Sequence, residues 1–232
     1  MDCFVVTCEH GGNLVPAAYR SFFVGHEALL GTHRGHDAGA LTMAQELSNA
    51  FGARLVASTT TRLLVDLNRS IGHPRLFSEA TASVGRQLRS EIVDDHYAPY
   101  RGQVEHLVAN AVASGQRVVH LSSHSFTPVL DGETRDADVG LLYDPSRPGE
   151  AALCARWKAS LARLAPHLRV RRNYPYLGKG DGFASHLRKR FGPDDYVGIE
   201  LELNQRTVFG TEQDWKALRV RIVESLKAAT NT

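Results

Sequence analysis

The sequence predicts one α/β domain over residues 1–232, a mostly parallel sheet covered by helices on both faces. Three observations predict it. Short β-branched runs alternate with longer stretches of helical period. Several of the runs end abruptly on chemically capable residues, as strands do at the ligand-binding edge of a parallel sheet. No internal repeat, low-complexity tract or linker divides the chain.

In chain order, "CFVVTC" (3–8) reads as the first strand. From Ala38 to Phe51 the apolar residues Leu41, Ala44, Leu47 and Phe51 keep helical spacing, and Gly52 ends that helix. "ARLVAS" (53–58) is the next strand, and "RLLVDL" (62–67) a further extended run. A long helix covers roughly 86–114, with Val104, Leu107, Val108, Ala111 and Val112 on one face. "RVVHLSS" (117–123) is a buried strand that ends on His124-Ser125, and "DVGLLY" (138–143) is another strand. Cys154, Trp157, Leu161 and Leu164 mark a helix, followed by the strand "LRVRR". "YVGIELEL" (196–203) is the last strand, and Trp215, Leu218, Ile222 and Leu226 mark a closing helix.

Bulk properties narrow the function. A net charge of +2 argues against a nucleic-acid partner, since acidic segments offset the basic runs "RVRRN" and "HLRKR". No run of 18 apolar residues predicts a membrane span, and the start of the chain lacks the features of a signal peptide. Three cysteines without CxxC spacing fit a reducing cytoplasm better than a disulfide framework. Eleven histidines permit a metal site.

Chemistry gathers at strand ends. The first strand closes on Glu9-His10 and the "VVHLSS" strand on His124, while the last carries Glu200 and Glu202 on one face. Asp37 begins, or caps, the helix 38–51. Two imidazoles and a carboxylate make a zinc site with an open position, and a further carboxylate serves as general base. Glu9, Asn13, His33 and His36 are rival ligands, and Glu200 and Glu202 also fit an exposed edge. In "TRLLVDLNRS" (61–70), an arginine fork and the Asn68 amide suit the carboxylate of an amino-acid-like substrate, with Asp66 holding an arginine in place.

Together "CEHGGNLVP", "HRGHDAGA", "RLLVDLNRS", "HSF", "NYPYLGKGDGF" and "GIELELNQ" resemble the N-formylglutamate amidohydrolase family, in order from about residue 7 to 206. That family resembles the zinc carboxypeptidases and the aspartoacylase and succinylglutamate desuccinylase group. The resemblance implies a mixed, mainly parallel sheet of the zinc carboxypeptidase-like (phosphorylase/hydrolase-like) kind, and a zinc held by His, Glu and His. In those relatives the ligands form H-x-x-E, with the glutamate starting a helix. Here the third residue after His10 is Asn13, and the helix starts instead at Asp37. The resemblance therefore implies an inserted loop, 14–36, with Asp37 in place of the glutamate and Glu9 as the alternative.

It further implies one Zn2+ per chain, or another divalent metal, on His10, Asp37 and His124, with Gly11 and Gly12 letting the chain pass closely round it. Glu202 matches the general base, with Glu200 its rival, and Arg62 the residue that steadies the carbonyl oxygen. Asn68 and Arg69 match the pair that binds a substrate carboxylate, and Tyr176 a hydrogen-bond donor on a loop whose glycines 178, 180 and 182 suggest mobility. The implied reaction is hydrolysis of an N-acyl amino acid, a small molecule such as N-formyl-L-glutamate, to formate and L-glutamate. The alternatives are a different acyl amino acid or small peptide, or a metal- or amino-acid-binding protein without turnover.

Overall fold

A computed structural model describes residues 2–230. In chain order the elements are β1 (Asp2–Cys8), α1 (Glu27–Leu30), α2 (Ala40–Phe51), β2 (Arg54–Ala57), α3 (Arg86–Ile92), α4 (Ala98–Ala113), β3 (Arg117–Phe126), β4 (Val129–Leu130) and β5 (Glu133–Thr134). There follow β6 (Val139–Leu142), α5 (Pro148–Leu164), β7 (Val170–Arg172), α6 (Phe183–Arg190), β8 (Tyr196–Asn204), α7 (Gln205–Val208) and α8 (Glu212–Thr230). A six-stranded sheet runs β2-β1-β3-β8-β6-β7. Its pairs are parallel except β6 against β8. The sheet is thus mixed and mainly parallel. Among the described residues no helix is long and apolar enough to cross a membrane.

Both faces are covered. Met43, Ala44 and Leu47 of α2, Trp157 and Leu161 of α5, and Ile222 and Leu226 of α8 pack on one face. Val104 and Val108 of α4, Leu187 of α6 and the Leu63–Leu67 segment pack on the other. Strands buried on both faces read as apolar runs without alternation, which is how β1 stands out in the sequence, while β3 opens on Val118-Val119 and continues through buried histidines and serines.

Three expectations are corrected and one alternative, an exposed edge for Glu200 and Glu202, is removed. "RLLVDL" is a buried series of turns. Leu63, Leu64, Val65 and Leu67 are all buried there, and an apolar run alone does not distinguish a strand from a packed loop. The "VVHLSS" strand continues to Phe126, because β8 pairs with it as far as Asn204, so His124 lies within a strand. Asp37 neither begins nor caps α2. Gly39 occupies the N-cap at φ +80°, where a Cβ would also meet Val208 and the Trp215 ring at 2.9–3.1 Å. Glu200 and Glu202 are buried on a central strand. The sequence reading also passed over α6 and the 3-10 turn Ala17–Phe23, whose Tyr19 and Phe23 are buried within the 14–36 segment.

Candidate active site

β1, β3 and β8 are adjacent and parallel, so their carboxyl ends share one edge of the sheet. His124 stands in register with Glu202. His10 follows β1 by two residues, and its carbonyl accepts the Asp37 N–H at 2.9 Å. That bond brings the turn before α2 down onto the strand end. Gly11 and Gly12 permit a close approach of two backbone segments. A Cβ at either would strike the Ser58 or Thr59 carbonyl at 2.9 or 2.6 Å, so the two glycines let the chain lie against the continuation of β2.

Three buried side chains converge. Asp37 Oδ2 lies 2.8 Å from His124 Nδ1 and 3.3 Å from His10 Nδ1. The three donor atoms of His10, Asp37 and His124 all lie within 4.8 Å of one another. Each imidazole is braced on its far nitrogen. His10 Nε2 meets Asp66 Oδ1 at 2.8 Å. His124 Nε2 meets Glu9 Oε2 at 3.2 Å and Ser122 Oγ at 2.8 Å. Arg62 donates to Asp37 Oδ1 at 3.2 Å and to Asp66 Oδ2 at 2.7 Å, tying the two carboxylates together. Metal-ligating histidines are braced in this way by carboxylates, and two nitrogens with one carboxylate oxygen suit zinc, so the residues fit such an ion.

The electrostatics follow from burial and sign. Burial opposes ionisation of Asp37, but His10, His124 and Arg62 hold it well below the usual carboxylate range. Burial likewise opposes the charge on His124, and hydrogen bonds to Asp37 and Glu9 outweigh it, raising its pKa. Burial pushes Glu202 up to about 8; His124 pulls it back, while Asp37 and Glu200 push with burial. Its Oε2 is a buried oxygen without a hydrogen-bond partner. Burial also raises Glu200.

The triad and both glutamates line a cavity of about 750 Å³, as do Arg62, Asp66, Asn68, Arg69 and Tyr176. Asn68 Oδ1 accepts from Phe183 N at 2.6 Å, and Arg69 donates to the Asp181 carbonyl at 3.1 Å. Tyr176 OH accepts from Arg135 at 3.1 Å. The loop expected to be mobile is fastened at Asp181, through Ser70, and at Gly178, which donates to Asn173 Oδ1. Of the rival ligands, Glu9 lies behind His124, Asn13 donates to the Leu30 carbonyl at 3.1 Å, and His36 Nδ1 faces that same carbonyl. His33 lines the cavity but is outside the triad. Sequence reasoning missed Ser122 and Tyr100, which donate to the two Glu9 oxygens at 2.7 and 3.1 Å. Strand period two placed Ser122 on the His124 face and was the available signal for it.

Solved structures share the fold. A gene product of Agrobacterium tumefaciens superposes with a TM-score of 0.84 at 27% identity, covering 98% of this chain and 90% of that one. An N-formylglutamate amidohydrolase from Ralstonia eutropha JMP134 gives 0.71 at 17% identity, covering 98% and 93%. An N-acetylmuramoyl-L-alanine amidase from Clostridium difficile 630 gives 0.51 at 12% identity, covering 100% and 98%. No curated protein matches the sequence. The N-formylglutamate amidohydrolase family matches residues 2–209, a span holding the triad, both glutamates and the Asp66–Arg69 segment. The chain belongs to the N-formylglutamate amidohydrolase family, and it is a hydrolase acting on amide bonds.

Proposed function

We propose that the protein is a metal-dependent amidohydrolase of an N-acyl amino acid, releasing formate and L-glutamate from N-formyl-L-glutamate or a close analogue. The observation that carries this reading is the braced triad of His10, Asp37 and His124 beside the unpartnered Glu202 oxygen. His10, Asp37 and His124 would hold a single zinc, or another divalent ion, which would supply Lewis acidity for a carbonyl oxygen and for water and a positive charge that favours the ionised Glu202 carboxylate.

Glu202 takes the proton of the attacking water and returns it to the leaving amine nitrogen. Arg62, held by Asp37 and Asp66, donates to the carbonyl oxygen as charge develops there. Arg69 and Asn68 hold a substrate carboxylate. The Asn68 oxygen is already engaged by Phe183 N, which leaves its amide N–H groups to donate, and Glu200 beside them steadies the amide. Tyr176, whose oxygen accepts from Arg135, keeps its own proton to donate at the cavity mouth. One domain over 1–232 carries the reaction, on a small-molecule substrate. A cytoplasmic location suits the three free thiols Cys3, Cys8 and Cys154.

The test is elemental analysis of protein purified without added metal or a histidine tag, alongside formate release from N-formyl-L-glutamate. About one zinc per chain with turnover supports the reading. Glu202→Gln is expected to keep the metal and lose the rate. Absence of metal, with none taken up on incubation, overturns it. A second reading, a bulkier acyl amino acid or a small peptide, is favoured by the cavity, whose volume of about 750 Å³ exceeds what a formyl group needs.

A further inference from the structure

One helix face reaches two parts of the site. A single π-helical turn, Val93–Tyr97, joins α3 to α4, and such turns often mark functional segments. Tyr97 is buried, and so are Tyr100, Arg101, Val104 and Val108 on the inward face of α4. The Tyr100 hydroxyl goes to Glu9. The Tyr97 hydroxyl donates to the Arg69 carbonyl at 2.7 Å. The Arg101 guanidinium donates to that same carbonyl at 3.0 Å and to the Leu67 carbonyl at 3.4 Å. These two carbonyls flank Asn68.

Arginine is an unfavourable residue to bury at this place. Arg101 is 4% exposed, and among the described residues it has no carboxylate in ion-pair contact. Glu105, one turn further along α4, is taken by His186 at 2.7 Å and Arg190 at 2.8 Å. Burial accordingly lowers the Arg101 pKa. Two aromatic rings face the guanidinium instead, with the Phe183 centroid at 4.3 Å and the Tyr97 centroid at 5.0 Å. Phe183 is also the residue whose N–H holds Asn68 Oδ1 at 2.6 Å. Arg101 thus grips Asn68 from both directions, by the backbone carbonyls on either side of it and by the residue that holds its side chain. A well-packed apolar side chain would fill the same space without desolvating a charge. A planar guanidinium can stack on rings and donate to two carbonyls at once, which an apolar residue cannot do.

We infer that Arg101 is a positioning residue: it fixes the Leu67 and Arg69 carbonyls and the Phe183 ring, and through them aims Asn68 and Arg69 into the cavity. It does not line that cavity, so it acts only through these neighbours. The inference rests on the proposed amidohydrolase reading for the ligand that Asn68 and Arg69 meet. Groups held in place before the ligand arrives bind it with less loss of freedom, so the contribution of Arg101 is to ligand affinity and not to the proton transfer at Glu202.

The experiment compares the metal-loaded full chain with Arg101→Met, Arg101→Lys and Tyr97→Phe, and with Val108→Ala as a core change on the same helix. Formate release from N-formyl-L-glutamate gives kcat and KM. Arg101→Met is expected to raise KM about 10-fold while kcat stays within about threefold, with metal content unchanged. Arg101→Lys is expected to recover part of the loss. Tyr97→Phe, which removes one hydroxyl from the Arg69 carbonyl and serves where Arg101→Met does not fold, is expected to raise KM about two- to threefold. Added to Arg69→Ala, Arg101→Met should raise KM by much less than it does alone, because the two act on one contact. A fall in kcat at unchanged KM, full additivity with Arg69→Ala, or the same rise in KM for Val108→Ala overturns the assignment. Amide hydrogen exchange supplies a readout free of substrate. In Arg101→Met, residues 66–70 are expected to exchange faster while β1, β3 and β8 keep their protection. Unchanged exchange at 66–70, or faster exchange throughout, also overturns it. Local loosening of 66–70 in a chain whose wild type does not turn over N-formyl-L-glutamate sinks the proposed reaction and leaves Arg101 in its role.

Discussion

Two histidines four residues apart on β3, on the same face and both fully buried, meet opposite fates. His120 sits between Thr7 Oγ1 at 2.8 Å and Tyr196 OH at 2.6 Å. Its partners are hydroxyls, each able to give or take a proton, so they satisfy a neutral ring, and burial lowers its pKa to about 4. His124 sits between Asp37 and Glu9, and its pKa is raised. Burial opposes charge at both places, so the partners decide. The mid-strand position is a closed hydrogen-bonded core. The position nearer the carboxyl end gathers carboxylates round a nitrogen that can be given to a cation.

The largest expected difference between the two is in rate. His124→Ala removes a donor from the triad and is expected to lower kcat/KM by about 10³-fold or more, with metal content falling in parallel by elemental analysis. Loss of rate with one metal per chain retained would place the ion elsewhere. His120→Ala should show the reverse profile. It leaves a cavity and strips a partner from two buried hydroxyls, at a cost of about 3 to 5 kcal/mol in urea unfolding, while metal stoichiometry is kept.

Acid titration sharpens the same contrast. The pKa of His120 is about 4 in the folded chain, against the ordinary 6.5. Between those values the unfolded chain binds the extra proton, so stability rises with pH across the window. The contribution is complete above about 6.5 and is lost as pH falls towards 4, on the order of 3 kcal/mol in all. His120→Gln, which does not titrate, is expected to flatten that part of the stability curve. An unchanged slope would mean that the ring is not buried in the neutral form.

The strands were legible where burial left short apolar runs rich in β-branched residues, as in "CFVVTC" and the opening "YVGI" of the last strand. "RLLVDL" misled because its leucines are as buried as a strand's, while their backbone turns instead of pairing. The short helix Phe183–Arg190 was hidden by its charge, since half of it is His186, Arg188, Lys189 and Arg190. His10, Asp37 and His124 were legible as residue types at strand and helix ends, and the structure brings all three together. Asp37 was read by resemblance to a glutamate that starts a helix, and it does not start one, since the N-cap of α2 is Gly39. What places it is a backbone bond to the His10 carbonyl, and no side-chain pattern encodes that bond. Strand period placed Ser122 beside His124 without naming its partner, and the Tyr100 hydroxyl was not legible, because it meets Glu9 only when α4 packs on the sheet.

The smallest expected effect discriminates most finely, because it separates a residue that holds a metal from one that aims its ligand. Glu9 is fully buried, accepts hydrogen bonds from Tyr100 and Ser122, and faces His124 Nε2 at 3.2 Å. Its negative charge orients the ring so that Nδ1 points to Asp37, and it makes that nitrogen more basic. Glu9→Gln keeps the shape and one acceptor oxygen but removes the charge. Metal affinity, read by competition with a chelator, is therefore expected to weaken by about 10- to 100-fold, with one ion per chain still reached at saturation. Asp37→Ala, by contrast, should fail to reach that stoichiometry at comparable free metal. If the two variants exchanged these behaviours, Glu9 would be the second ligand and Asp37 its support. The difference would then be traced to which carboxylate presents an oxygen to both imidazoles. In this structure that is Asp37, whose Oδ2 already faces the Nδ1 atoms of both imidazoles, whereas both Glu9 oxygens are engaged on the far side of His124.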